Sequence, residues 1–274
     1  MKKYLSIFLI ICFIFCCGFC ANEQNEKQIK LPVVMYHSIL NSKTGTYIVS
    51  QQQLEQDLSQ IISSGYTTVF PSQVIDFVYN NAPLPEKPIL ITFDDGYYNN
   101  LYYGLEIFEK FKAKANLNVI SSLAEDEQSK VSNPNYSYLK WEQIRTMAES
   151  GHFEIGNHSY DMHKYSPRYG IDQMGCEKDE DYYKALNIDI DLSNKLLKQK
   201  ANIITNVFAF PFGQYNDLAL SVLRQREYKM FLTCYEKINI ITQGDRDCLY
   251  NIGRINRSGS ISTATLIEKI KSYS

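Results

Sequence analysis

Two adjacent carboxylates, Asp94 and Asp95, follow the apolar run Pro88-Ile89-Leu90-Ile91 and precede Gly96. Charges at the end of a buried strand are costly, and each needs a partner, a metal or a shifted pKa. Neighbours on a regular strand face opposite ways. Both acids can therefore serve one site only where the strand ends and turns, and Gly96 permits such a turn. Thr92-Phe93-Asp94-Asp95-Gly96 also reads as an ordinary turn signal, so by itself it leaves site and turn level. His158 and His163 lie five residues apart. That spacing separates two side chains by about 140° on a helix and puts them on opposite faces of a strand, so they can share a ligand only on a loop. Two imidazoles and one carboxylate make a His2Asp metal set with positions left open for water, and Asp95 is the natural third ligand. His37 ends the apolar run from Leu31, whereas His152 follows a helix-ending Gly151 and reads as structural.

The elements around these residues alternate. Leu31–His37 reads as a buried strand. Ser50 with Gln53 is a capping-box signal, and Leu54, Leu58, Ile61 and Ile62 recur at helical spacing up to Gly65. A short strand over Tyr66–Phe70 and a helix from Pro71 to Tyr79 come next, then the strand Ile89–Phe93. A helix over Leu101–Lys112, a strand over Ala115–Ile120 and a long polar loop over Ser121–Ser137 follow. Trp141–Met147 is helical, Phe153–His158 extended, and Tyr160–Glu180 irregular. A helix over Tyr182–Lys198, with the acidic run Glu177–Asp181 as its solvated start, leads to the strand Val207–Phe210, ended by Pro211 and Gly213. Leu218–Arg224 and Ser262–Ser272 read as helices, Met230–Tyr235 and Ile252–Ile255 as strands. Such alternation predicts a mostly parallel sheet, and its repetition favours a barrel. In a parallel barrel the chemistry sits at the carboxyl ends of the strands. Asp94, Asp95, His158, Phe212 and His37 all fall there.

The chain begins Met1-Lys2-Lys3, runs apolar from Tyr4 through Phe19 and turns polar at Asn22. Residues 1–21 read as a secretory signal cut before Ala21, as a retained N-terminal anchor, or as a lipoprotein leader ending at Cys20, although Phe19 fits the last poorly. Each reading exports the folded part, outside the cell or to the cell envelope, with membrane attachment through the N-terminus in two of them. Residues 22–30 then form a short linker and 31–274 one α/β domain, expected to be a monomer. The formal net charge is -2 and no basic block occurs, which argues against nucleic acid. Cys176, Cys234 and Cys248 remain in the domain, without Cys-x-x-Cys spacing. An oxidising compartment permits a bridge, and by separation Cys234–Cys248 would be the pair.

Thr92-Phe93-Asp94-Asp95-Gly96, His158-Ser159 with His163, and Phe210-Pro211-Phe212-Gly213 together resemble the polysaccharide deacetylases of the NodB-homology type, carbohydrate esterase family 4. The resemblance runs from about Leu31 to Ile255. It implies a distorted (β/α)7 barrel that removes acetyl groups from a carbohydrate polymer. It makes Asp94 the general base and Asp95, His158 and His163 the ligands of one divalent ion, with Zn2+ first and Co2+, Ni2+ or Fe2+ also suited to His2Asp. Pro211 and Phe212 would shape the acetyl pocket, and the Phe212 N–H would hold the oxyanion. The chain departs from the common family pattern in its five-residue His spacing, in Ala209 where an Arg is usual, and in having no His after His163. The subgroup acting on poly-β-1,6-N-acetylglucosamine shares the His spacing and a Met-Tyr-His like Met35-Tyr36-His37. By that resemblance His37 is the general acid, and Arg254 is a candidate replacement for the missing Arg. An O-acetyl carbohydrate esterase and a catalytically inactive carbohydrate-binding barrel are the alternatives. Asp161, between the two histidines, would either orient a ligand or stand in solvent.

Overall fold

Seven parallel strands carry the site: β1 (Val33–Tyr36), β2 (Pro88–Phe93), β3 (Ala115–Val119), β4 (Phe153–Asn157), β5 (Val207–Ala209), β6 (Met230–Leu232) and β7 (Ile255–Asn256). The computed structural model describes residues 27–125 and 131–274. The expected leader 1–21, with the expected cut site and Cys20, and the first part of the expected linker lie outside the described residues. Among the described residues no helix is long and apolar enough to cross a membrane.

The strand order is β6-β5-β4-β3-β2-β1-β7. The curled sheet returns on itself, because Thr233 N–H donates to Ile252 O at 2.9 Å, Ile252 N–H to Phe231 O at 2.9 Å and Arg254 N–H to Tyr235 O at 2.9 Å. These bonds replace a regular β6–β7 ladder and distort the barrel. A short strand, Thr67–Thr68, pairs with the start of β2. From Gln28 the linker is itself a strand, since Gln28–Lys30 pairs antiparallel with Ile240–Thr242.

The helices are α1 (Gln51–Ser63), α2 (Pro71–Asn80), α3 (Leu105–Phe111), α4 (Trp141–Glu149), α5 (Asp179–Ala201), α6 (Asp217–Gln225) and α7 (Thr263–Ser272). The box at the start of α1 forms in both directions: Gln53 N–H donates to Ser50 Oγ at 3.1 Å and Ser50 N–H to Gln53 Oε1 at 3.0 Å. Leu54, Leu58 and Ile61 face the core, and Ile62 turns outward. The acidic run opens α5, which begins at Asp179, nearer the chain start than periodicity alone suggests. Asp179, Glu180 and Asp181 occupy its first turn, where carboxylates oppose the helix dipole favourably. Ser121–Ala124, expected as loop, is one short helical turn.

The end of β1 is held by a buried polar knot. Asp57 of α1 accepts from Arg257 Nε at 2.6 Å, from Tyr36 Oη at 2.9 Å and from Thr263 Oγ1 at 2.6 Å. Asp57 and Arg257 are both wholly buried at the side chain, so each charge depends on the other. The knot ties α1, α7 and β1 together immediately before His37.

Candidate active site

Three of the turns that deliver candidate residues leave the ordinary backbone regions. Asp95 has φ 71, Ser159 φ 73 and Phe212 φ 57. For a bulky residue such as Phe212 a positive φ is a genuine departure that the surroundings must enforce. At Asp95 the left-handed turn brings two consecutive carboxylates to one side of the sheet, which a continuing strand would forbid.

Asp95 Oδ1 lies 3.6 Å from His158 Nε2 and 3.6 Å from His163 Nε2. One ligand atom from each of the three residues falls within 4.8 Å of the others. Asp95 Oδ1 is buried with no hydrogen-bond partner. His158 Nδ1 donates to the Ala209 carbonyl at 2.7 Å, which selects its tautomer and leaves Nε2 as a lone pair directed at Asp95. Burial pushes His158 down to about 3 and lowers His163, which favours the neutral form of both imidazoles; burial lowers His37 too, against the pull of Asp95 and Asp94. Burial pushes Asp95 up to about 6, against the pull of His37. Two neutral imidazoles and a carboxylate short of a counter-charge converge on one point, and that donor set fits a divalent cation.

Asp94 is treated differently. Burial alone would raise its carboxyl, but the Arg254 guanidinium, and then His158, overcome that and hold it well below the usual carboxylate range. Arg254 Nη1 meets Asp94 Oδ1 at 2.8 Å and Nη2 meets Oδ2 at 2.7 Å, with the Arg wholly buried. Its remaining N–H groups go to Thr233 O, Thr92 Oγ1 and Cys234 Sγ, so the guanidinium is saturated. The guanidinium that meets Asp94 thus comes from the residue before β7 and not from β5, where Ala209 stands.

A cleft of about 400 Å³ opens over these groups, lined among others by His37, Asp94, Asp95, His158, His163 and Phe212. Asn100 Nδ2 donates to the His37 carbonyl at 2.7 Å, and the Tyr47 ring lies 4.8 Å from the imidazole. Phe212 packs 4.3 Å from His163 and stacks on Tyr165 and Tyr169 at 4.6 and 4.7 Å. Pro211 is buried. His152 bonds through Nδ1 to Ala113 O at 2.8 Å, away from the cleft. Asp161 pairs with Lys164 and accepts from Ser122 Oγ at 3.3 Å, so the solvent reading of it holds. Cys234 and Cys248 are free, as is Cys176. Cys234 is drawn to Arg254, and Cys248 Sγ faces Thr242 O at 3.9 Å.

Several residues that build the site escape sequence reasoning. Asp189 of α5 accepts from the Tyr160 and Asp161 N–H groups, each at 2.8 Å, and so clamps the loop between the two histidines. A lone Asp on the inner face of a helix is its only trace in the sequence. Asp189→Ala strands two N–H groups and is expected to cost about 2 kcal/mol. Thermal unfolding should register it as a midpoint about 5 °C lower; an unchanged midpoint would mean that water replaces the clamp. Asn118, which donates to Asp94 Oδ1 at 2.7 Å, did leave a signal: the alternation Asn116-Leu117-Asn118 sets amides on the inner face of an otherwise apolar strand.

The fold and the residue constellation define a class. The family model described as polysaccharide deacetylase matches residues 81–231, more than half of the chain, and the chain belongs to that family. Among individual relatives, YxkH of Bacillus subtilis (strain 168) is 26% identical over 213 residues, covering 77% of this chain and 66% of that protein. The poly-beta-1,6-N-acetyl-D-glucosamine N-deacetylase of Escherichia coli (strain K12) is 25% identical over 205 residues, 68% of this chain and 30% of that one. The chain thus spans just under two thirds of the first relative and under a third of the second. In fold it is similar to the Streptococcus pyogenes deacetylase PplD, with a TM-score of 0.72 at 24% identity over 89% of this chain and 99% of that one. The expected barrel is the fold observed.

Proposed function

We propose that this protein is an exported, metal-dependent N-deacetylase of an N-acetylglucosamine-containing polysaccharide. The observation that carries the reading is the convergence of Asp95, His158 and His163 beside an Asp94 clamped by Arg254. Asp95, His158 and His163 would hold one divalent ion, with Zn2+ the first choice. Such an ion, when bound, supplies Lewis acidity, which lowers the pKa of a water and polarises an amide carbonyl. Asp94 takes a proton from the water as its oxygen attacks the acetamide carbon. The Phe212 N–H donates to the developing oxyanion, and Pro211 and the Phe212 ring wall the acetyl group. His37 protonates the nitrogen as the C–N bond breaks, so acetate and a free sugar amine leave. Arg254 keeps Asp94 ionised and in place. The exposed rings of Tyr165 and Tyr47, 76% and 55% accessible at the mouth of the cleft, offer the flat apolar faces on which sugar rings stack. Export rests on the leader 1–21, and the domain is taken as 31–274 preceded by the linker.

The test is acetate release by metal-loaded protein from chitooligosaccharide, a β-1,6-linked N-acetylglucosamine oligomer, peptidoglycan and acetyl-xylan. The similarity to the Escherichia coli enzyme favours the β-1,6-linked oligomer. Release from acetyl-xylan alone would make the protein an O-acetyl esterase, and no acetate from any of them would make it a binding barrel. His163→Ala is expected to lower metal content measured by mass spectrometry to well under half of the wild-type value. Unchanged content in that variant would remove His163 from the ligand set.

A further inference from the structure

Asn116 and Asn118 alternate along β3, and both are fully buried. Their neighbours Ala115, Leu117 and Val119 pack in the apolar core. A parallel strand covered on both faces is ordinarily apolar throughout, and buried amides are costly unless bonded. The explanation lies at the end of the adjoining β2. Asn118 Nδ2 donates to Asp94 Oδ1 at 2.7 Å, and Asn116 Nδ2 donates to Asn118 Oδ1 at 2.5 Å. The direction of this chain follows from chemistry: a carboxylate only accepts, so Asn118 must turn its NH2 to Asp94 and its carbonyl to Asn116. Across the sheet Gly156 of β4 stands in register with Asn118. A Cβ there would come within 2.0 Å of Asn118 Oδ1 and 3.1 Å of Asn116 Nδ2. Gly156 is not among the glycines with positive φ, so space for the amide, rather than backbone freedom, requires it.

The two oxygens of Asp94 are thereby made unequal. Oδ1 accepts from Asn118 Nδ2 and from Arg254 Nη1, whereas Oδ2 accepts from Arg254 Nη2 at 2.7 Å. The guanidinium fork engages both oxygens alike and cannot distinguish them. We infer that Asn118 is a positioning residue that selects Oδ2 of Asp94 as the oxygen receiving the proton of the attacking water, with Asn116 and Gly156 holding its amide in that orientation. The inference rests on Asp94 being the base. Oδ1 has its acceptor positions filled and Oδ2 keeps one open, on a residue that lines the cleft. Without the Asn118 donor the carboxylate is held by Arg254 alone and presents either oxygen, so proton transfer meets a less favourable geometry.

The test compares kcat, KM and metal affinity by titration calorimetry in Asn118→Leu, which keeps the volume and removes the donor. The expected result is kcat lower by about 30-fold, the loss of one hydrogen bond to a charged group, with KM and metal affinity within about twofold of wild type. Asn116→Leu, whose partner amide keeps its donor but loses its orienting neighbour, should show the same split with a smaller loss of about fivefold. Asn116 Oδ1 has no partner, so this second variant relieves one unpaired buried oxygen while it strands Asn118 Oδ1, and it decides the matter if Asn118→Leu does not fold. A folded Asn118→Leu with wild-type kcat overturns the inference, as does a parallel loss of KM, metal affinity and kcat. Asp94→Asn separates the layers: if it is inactive while Asn118→Leu is fully active, only the Asn118 inference falls. If Asp94→Asn is active, the base assignment falls with it.

Discussion

Asp94→Asn is expected to lower kcat by at least about 10³-fold, the upper range of a lost general base, while the protein still binds its metal. The amide matches the carboxylate in shape but has no basic lone pair, so it can accept from Arg254 without taking a proton from water. Asp94 is not among the three converging ligand atoms, which is why metal content should stay near that of the wild type. The substitution also leaves the Arg254 charge facing a neutral partner in a site where both side chains are 1% exposed or less. A lower unfolding temperature is therefore expected, and the assay belongs at a temperature where circular dichroism shows the variant folded. Single-turnover acetate release and elemental analysis on one preparation make the measurement. Near-normal turnover would take the base role away from Asp94.

Arg254→Met should be the most damaging change to the fold itself. It fills a similar volume but removes every N–H that Arg254 gives to Asp94, Thr233 and Thr92. Breaking a buried pair from one side costs about 3–5 kcal/mol, because the other charge is left without compensation. The contribution of Asp94 to the pH dependence should also change sign. In the wild type Asp94 titrates below its unfolded value, near 4, because Arg254 outweighs burial. That contribution is complete above the unfolded value and is lost as the pH falls through the folded one. Without Arg254 burial dominates and lifts Asp94 above its unfolded value, so the variant should gain stability as the pH falls from neutral. Denaturant midpoints of both apoproteins between pH 4 and 7 would show it as the difference in slope, since the raised Asp95 is common to the two. Combining Asp94→Asn with Arg254→Met should cost less than the sum of the two. Strict additivity would mean that the pair is energetically uncoupled.

Much of the frame is legible in residue order, because it depends on local rules. The box at Ser50 and Gln53, the apolar stretch ending at Phe93, and the alternation of strands with helices are each dictated by neighbours within a few positions. Elements with distant partners escape such rules. Gln28–Lys30 reads as linker because its partner is Ile240–Thr242, more than two hundred residues away, and nothing in three polar and apolar residues announces that pairing. The start of α5 is legible for a different reason: the acidic run Glu177–Asp181 marks it, and Asp179, Glu180 and Asp181 are stabilised in the first turn by the helix dipole.

The candidate site divides in the same way. Asp94, Asp95, His158 and His163 can be picked out by type, because buried carboxylates and paired imidazoles are expensive enough to need a purpose. The residues that hold them are ordinary by type. Asp189 acquires meaning only from the atoms it reaches, and Arg254, a candidate by resemblance alone, reaches Asp94 from 160 positions along the chain. The adjacent acids were determined by the sequence as a strand end carrying two charges. Their separation into one carboxylate clamped by a guanidinium and another left facing two imidazoles was decided by the tertiary structure. The strength of a buried charge interaction depends on distance and on exclusion of water, and neither is a property of residue order.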